Sequence, residues 1–521
     1  MRTITISVMP ALLLTLPALA ADCAGLSSAK LPETTITTAA SVSAGTYTPP
    51  YGNPIEGLPE FCRVAGVIRP TSDSEIRFEV WMPVAGWNEK YLGVGNGGFA
   101  GAIDFNQLGG NLKRGFATAA TDTGHEADNV DASWAYKHPE KVNDFGWRAL
   151  HLTTENAKRL VEMYYSAAPK HAYFDSCSDG GREALMEAQR FPEDFDGIIA
   201  GAPANYWTRL VAAGTANFKV MRDNPAAYIS AMKLPAIAKA TLAACDAQDG
   251  VKDGVINDPT RCHFDPSVLL CKNGDALDCL TAPQVAFLKT IYAGASSSRG
   301  EPVFPGRTPG GELGPGGWAA WILGNAPGTG LGTGFYENYF RYMVYDDPAW
   351  NPFTANFDAA LHTAEEKTAR ALNATDPDLH RFEAHGGKLI LYHGWNDPAI
   401  PAQNTVNYYK SVRDKMGSAE VEQFVRVYMV PGMQHCIGGP GATTIGQFGT
   451  KTPEGGVFGA LERWVEKGAA PQEIIATKYT GDNPGRGVQM TRPLCPYPQV
   501  ARYKGSGDTN DAHNFVCGAG E

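Results

Sequence analysis

The stretch Ala172-Tyr173-Phe174-Asp175-Ser176-Cys177-Ser178-Asp179-Gly180-Gly181 decides the fold. Ala172-Tyr173-Phe174 reads as a short strand, and Gly180 to Gln189 carries the apolar spacing of a helix. Ser178 therefore falls on a sharp strand-to-helix turn, which raises a hydroxyl above the end of a sheet. Small residues beside it let the helix and strand approach each other. The common Gly-x-Ser-x-Gly pattern has Ser176 in place of its first glycine here. A serine in a glycine-rich turn is often only structural, so its role depends on what the rest of the chain supplies.

Around this turn, strands alternate with helices. Phe78–Val84, Tyr91–Gly95 and Gly115–Asp122 are strand-like, Ala149–Tyr165 has helical periodicity, and Gly197–Gly201 reads as a buried strand. From about residue 205 to 380 the rhythm is lost: the chain becomes rich in Gly, Pro and aromatic residues and carries four cysteines. The stretch from Gly300 to Gly317 excludes a regular helix or a central strand. The rhythm returns with Lys388–Tyr392, Asn404–Met416, Val425–Val430 and Phe458–Lys467. The expected class is α/β, a mainly parallel sheet with a large inserted lid. The expected division is a signal peptide over 1–20, the first part of the hydrolase domain over 21–204, the lid over 205–380 and the second part over 381–521. With 521 residues, 58 Gly and 36 Pro, the chain exceeds one ordinary core and points to long structured loops rather than a helical bundle.

Two later strand ends supply partners for Ser178. The first runs into His393-Gly394-Trp395-Asn396-Asp397-Pro398, the second into Pro431-Gly432-Met433-Gln434-His435-Cys436. Nucleophile, acid and base thus follow in the order Ser178, Asp397, His435, each just past a strand, as in α/β-hydrolases. One alone would be a turn aspartate or a loop histidine; the ordered set points to nucleophilic acyl transfer. The oxyanion donors expected are the N–H of Asp179 and one from Gly95-Asn96-Gly97-Gly98, with Gly98 preferred and Gly97 the alternative.

All ten cysteines follow an apolar leader that begins Met1-Arg2 and ends Ala18-Leu19-Ala20. A short basic start, a hydrophobic run too brief to span a bilayer and a small-x-small signal predict secretion to the periplasm or medium, with no membrane anchor. An even cysteine count in an exported chain favours disulfides over a free Cys177 nucleophile. Cys177 precedes the candidate nucleophile and Cys436 follows the candidate base; if they pair, the bond ties both turns together. The net charge of −11 disfavours nucleic-acid binding. Between Cys245 and Cys262, Asp246, Asp249 and Asp253 with two glycines suit a hard cation, although the spacing is not that of an EF-hand.

Cys-Ser-x-Gly-Gly around Ser178, Asp397, and His435-Cys436 with the flanking cysteines resemble the tannase and feruloyl esterase family of α/β-hydrolases. That family includes fungal tannases, feruloyl esterases and bacterial hydrolases of mono(2-hydroxyethyl) terephthalate. The resemblance covers essentially the whole mature chain. It implies the pairs Cys23–Cys62, Cys177–Cys436, Cys245–Cys262, Cys271–Cys279 and Cys495–Cys517. It also implies a structural Ca²⁺ held by Asp246, Asp249 and Asp253 with the carbonyls of Val251 and Val255. The implied activity is hydrolysis of small aromatic acid esters, of feruloyl, galloyl or terephthalate monoester type. The alternatives are a lipase or peptidase on the same fold, or a silent binding domain. Trp318, Trp321, Phe335, Tyr336 and Tyr339 are candidates for the acyl pocket wall, and Arg341 for anchoring a substrate carboxylate.

Overall fold

Nine strands form one sheet in the computed structural model, which describes residues 22–351, 354–450, 452 and 455–520. The leader expected over 1–20 lies outside the described residues. In chain order the strands are β1 (Thr34–Val42), β2 (Phe61–Ile68), β3 (Ile76–Pro83), β4 (Lys90–Val94) and β5 (Ala117–Thr121), then β6 (His171–Cys177), β7 (Gly197–Gly201), β8 (Lys388–Gly394) and β9 (Val425–Val430). Their spatial order is β1-β2-β3-β5-β4-β6-β7-β8-β9. The first three strands and the β3–β5 pair run antiparallel; from β5 to β9 every neighbour is parallel.

The parallel strands are buried on both faces, and consecutive residues enter different cores because side chains alternate across a strand. Helix α1 (Phe105–Lys113) joins β4 to β5, and Phe174, Ile198, Leu389, Leu391 and Val427 pack with helices α2 (Ala149–Tyr165), α3 (Asp179–Arg190) and α4 (Gln403–Met416). Their neighbours Tyr173, Ile199, Ile390 and Tyr428 face the other way, against α5 (Gly456–Lys467). Helices on both faces of a largely parallel sheet make this an α/β fold.

β1 and β2 carry little sequence signal. β1 is a threonine-rich edge strand whose exposure alternates along its length, and Cys23–Cys62 fastens the segment before it to β2.

The segment between β7 and β8 contributes no strand to the main sheet among the described residues. Its glycine and proline content suggests loops, yet helices dominate it: Trp207–Asp223, Leu234–Cys245, Ala282–Ala293, Leu331–Asn338 and Phe357–Leu372. Pro235 and Pro283 stand at the N-terminal ends of two of these, where the missing N–H costs nothing. At the start of the second, Gln284 Oε1 accepts from the Thr281 N–H at 3.0 Å. The stretch 300–317 holds only the short strand Pro302–Phe304, paired with Ala295–Ser296.

Candidate active site

β6 extends through Cys177 and α3 starts at Asp179, leaving Ser178 alone in the turn with φ 69° and ψ −121°. A non-glycine residue there stores about 1–3 kcal/mol of backbone strain, which the surroundings must hold. They do so through backbone bonds: Ser178 N–H donates to the Gly201 carbonyl at 2.9 Å, and Ala204 N–H to the Ser178 carbonyl at 3.1 Å. The two following glycines are required by contact: a Cβ on Gly180 would overlap Ser176 Oγ, and one on Gly181 the Gly201 carbonyl.

Ser178, Asp397 and His435 come together at the C-terminal ends of β6, β8 and β9. Ser178 Oγ lies 2.9 Å from His435 Nε2, and His435 Nδ1 lies 2.7 Å from Asp397 Oδ2. With Nδ1 donating to the carboxylate, Nε2 is left to accept the serine proton. The Cys177–Cys436 disulfide joins the residue before Ser178 to the residue after His435 across a sequence separation of 259. The remaining cysteines join as Cys23–Cys62, Cys245–Cys262, Cys271–Cys279 and Cys495–Cys517.

Asp397 is fully enclosed, yet its carboxyl is held well below the usual carboxylate range. Burial pushes it up, and the charge of His435 with hydrogen bonds from His393 and His435 outweighs that. Oδ1 accepts from Ala399 N at 2.8 Å and Ile400 N at 2.9 Å, while Oδ2 accepts from both histidines. His393 is the site residue that sequence reasoning missed. Its Nε2–H is shared between Asp397 Oδ2 at 3.2 Å and the Ile400 carbonyl at 3.0 Å, and its Nδ1 accepts from Thr405 Oγ1 at 2.7 Å. The available signal was its place four residues before Asp397, where a β-strand runs into the acid-bearing turn.

The expected oxyanion donors face one cavity together with Ser178: Asp179, Gly97 and Gly98 all line it. Asp179 opens α3, where an amide has no carbonyl one turn back to bond. Gly98 has φ 63°, and a Cβ there would overlap the Asn129 carbonyl; at Gly97 a Cβ would meet nothing within 4 Å. The Asp179 side chain points elsewhere, bonding buried Arg182 Nε at 2.6 Å.

The cavity measures about 640 Å³. Trp207, Leu210 and Val211 give it an apolar side with Trp321, Phe335 and Tyr336, and Trp321 meets the His435 ring edge-on at 5.3 Å. Asn53, Asn106, Gln107 and Asp104 line a second, polar side. No lysine or arginine is among the described residues that line it. Three of the five expected wall residues are therefore placed in the wall. Trp318 and Tyr339 are instead core residues: Trp318 packs on Tyr292, and the Tyr339 hydroxyl bonds Thr368 at 2.7 Å. Arg341 does not reach the cavity either, because it pairs one helical turn back with Glu337 at 3.2 Å and caps the Trp350 carbonyl at 3.1 Å.

In the acidic loop, Asp246 accepts from Gly254 N, Asp249 from Val251 N and Asp253 from Val255 N. Arg492 bonds the other oxygen of Asp253 at 2.7 Å. Burial and the two neighbouring carboxylates push Asp249 up to about 6. Asp249, Val251, Asp253 and Val255 surround a void of about 20 Å³ that also touches Pro431, the first residue of the His435 turn. Elsewhere His151, Glu187 and Asp194 converge within 4.8 Å, but His151 already bonds Asp194 and burial drives Glu187 toward its neutral form.

The family model for tannase and feruloyl esterase matches residues 62–518. An uncharacterized esterase of Xanthomonas campestris pv. campestris is 46% identical, covering 98% of this chain and 94% of its own. A probable feruloyl esterase B-2 of Aspergillus terreus is 33% identical over 88% of this chain and 86% of its own. The crystal structure of feruloyl esterase B from Aspergillus oryzae superposes with a TM-score of 0.88 at 29% identity, covering 96% of this chain and all of that one. A serine set on a strained turn, within bonding distance of a histidine and over an aromatic cavity, is thus carried by a chain that belongs to the tannase and feruloyl esterase family of α/β-hydrolases, and the protein is a carboxylic ester hydrolase.

Proposed function

We propose that the protein is an exported serine esterase that cleaves esters of uncharged aromatic acids through an acyl-enzyme. The continuous Ser178–His435–Asp397 hydrogen-bond chain, at 2.9 and 2.7 Å, carries this reading. Neutral His435 takes the Ser178 proton as Oγ attacks the ester carbonyl, and the charge on the carbonyl oxygen is met by the Asp179 and Gly98 amides. His435 passes the proton to the departing alcohol. Water then attacks the acyl-serine with His435 again as base, returning the acid and free Ser178. Asp397 keeps the imidazole in the Nδ1–H tautomer and stabilises its cation.

The aromatic side of the cavity suits a feruloyl or galloyl group. A terephthalate monoester brings a carboxylate, and the described residues of the cavity wall offer it no lysine or arginine; Arg341 is committed to Glu337. The Aspergillus relatives with feruloyl esterase names point the same way. Export is supported by five disulfides, which persist in oxidising compartments, and by the apolar leader of the sequence. No helix of the described residues is long and apolar enough to cross a membrane.

The acidic loop is assigned a structural Ca²⁺ by the same reading. Asp249 and Asp253 line one side of a small void, and with Asp246 they crowd three carboxylates into a loop that Arg492 only partly compensates. Asp246, Asp249 and Asp253 with the carbonyls of Val251 and Val255 would hold the ion, which would offset the charge of the loop.

The test pairs a fluorophosphonate probe with a substrate panel of methyl ferulate, methyl gallate, a terephthalate monoester, a long-chain ester and a peptide. Stoichiometric labelling at Ser178 and turnover of the first two are expected. Preferred turnover of the long-chain ester or the peptide would move the protein to a lipase or peptidase role, and folded protein without labelling would make it a silent binding domain.

A further inference from the structure

Glu183 lies one turn into α3 from the nucleophile and has no part in the reaction as written above. It is buried, at 2% exposure, a few ångströms beneath the glycine loop that carries Gly98. Its Oε2 accepts from the backbone N–H of Asn96 at 2.9 Å. The carbonyl of Asn96 in turn accepts from Gly180 N–H, at the start of α3, at 2.8 Å. One residue of the oxyanion loop is thus gripped at both its amide and its carbonyl by the helix whose first residue is Asp179. The Asn96 side chain completes the fixation, donating to the Thr121 and Ala102 carbonyls at 3.0 and 3.1 Å. Gly95 must be glycine for this to close, since a Cβ there would come within 2.7 Å of Glu183 Oε2 and 2.6 Å of Ser176 Oγ.

We propose that Glu183 is a positioning residue that clamps the Asn96 peptide to α3 and so fixes the Gly98 amide relative to the Asp179 amide. This rests on the serine esterase reading, because two donors contributed by separate segments stabilise an oxyanion only at a fixed separation. Glu183 does so as an uncharged carboxyl. Its Oε1 is buried with no hydrogen-bond partner among the described residues, a position a carboxylate charge does not tolerate. Burial and the nearby Asp179 carboxylate push its acidity in the same direction, to about 8, against the pull of Arg182 and the Asn96 amide. The groups facing it are Asp179, Arg182 and Glu187 on its own helix, and the uncharged Asn96 and Ser176 from the loop and from β6. A neutral group there leaves the oxyanion unopposed.

The test measures kcat and KM on methyl ferulate for E183Q, E183D and E183L, beside S178A as the control for the esterase reading. E183Q keeps an uncharged carbonyl acceptor at the same reach and is expected to hold kcat within about threefold. E183D draws the acceptor back by one methylene and E183L removes it; both are expected to lower kcat about 10- to 100-fold with KM nearly unchanged, a fraction of what loss of an oxyanion donor costs. If E183L does not fold, the E183Q and E183D pair carries the comparison. Wild-type kcat in folded E183D, or an E183Q loss as large as that of E183D, overturns the clamp. Full activity in S178A instead overturns the esterase reading, so the two failures are told apart.

Discussion

Two aspartates of this chain, both in tight turns beside a disulfide-held segment, sit in opposite electrostatic states. Asp397 meets two backbone amides and two histidines, and its carboxyl is held far below the ordinary range although it is buried. Asp249 meets one amide and two further carboxylates, and is pushed up to about 6. Burial penalises both charges; the difference is the neighbouring charge, a histidine beside Asp397 and carboxylates beside Asp249, together with the number of donors each is given. The Asp397 turn finds its partners within the protein, whereas the acidic loop keeps crowded carboxylates, which the proposed Ca²⁺ would balance.

The largest effects are expected at the self-sufficient end. S178A and D397N should each lower kcat/KM by about 10⁴-fold without unfolding the protein, since D397N keeps the geometry and loses the tautomer control. A D397N enzyme with near wild-type turnover would remove Asp397 from the mechanism. Next come the two bridges. In the chain-entropy model, closing 259 residues through Cys177–Cys436 is worth about 5–6 kcal/mol and closing 17 through Cys245–Cys262 about 3 kcal/mol. Paired serine variants in urea unfolding should keep that order. Only the first should also lower kcat, because it alone spans the Ser178 and His435 turns. Equal losses of kcat would erase the distinction between the regions.

Calcium gives a smaller effect. At a free concentration about 100-fold above its Kd it should add about 2.7 kcal/mol of stability, so chelation should lower Tm well before it lowers turnover at moderate temperature. Turnover lost at unchanged Tm would place the ion elsewhere.

The pH dependence separates the two aspartates by sign. Asp397 has a lowered native value, so the unfolded chain takes up its proton first; its stabilisation is complete above about pH 4 and is lost as pH falls below that. Asp249 has a raised one, so the metal-free native state holds the extra proton between about 4 and about 6, and stability falls as pH rises through that window. D397N should flatten the acid limb and D249N the higher one in chelated protein; a D249N slope identical to wild type would contradict the crowding. Least of all is expected of R341A, which should leave KM for methyl ferulate unchanged within about twofold, as its charge is spent on Glu337. A larger rise in KM would bring Arg341 back to the substrate.

The amino-acid order alone was enough for the strand–turn–helix around Ser178 and for the sequence Ser178, Asp397, His435. It was enough as well for the helix Ala149–Tyr165, because period-2 and period-3.6 patterns and turn chemistry are local properties. Edge strand β1 and the helices between β7 and β8 were harder: the first is polar and alternates weakly, and the second are separated by glycine- and proline-rich connections. Which aromatic faces the cavity was beyond any local pattern. Trp318 and Trp321 are three residues apart, yet one packs in the core on Tyr292 and the other against His435. Likewise His393, Glu183 and the commitment of Arg341 appear only once distant segments meet, since each is defined by a partner atom and not by its neighbours in the chain.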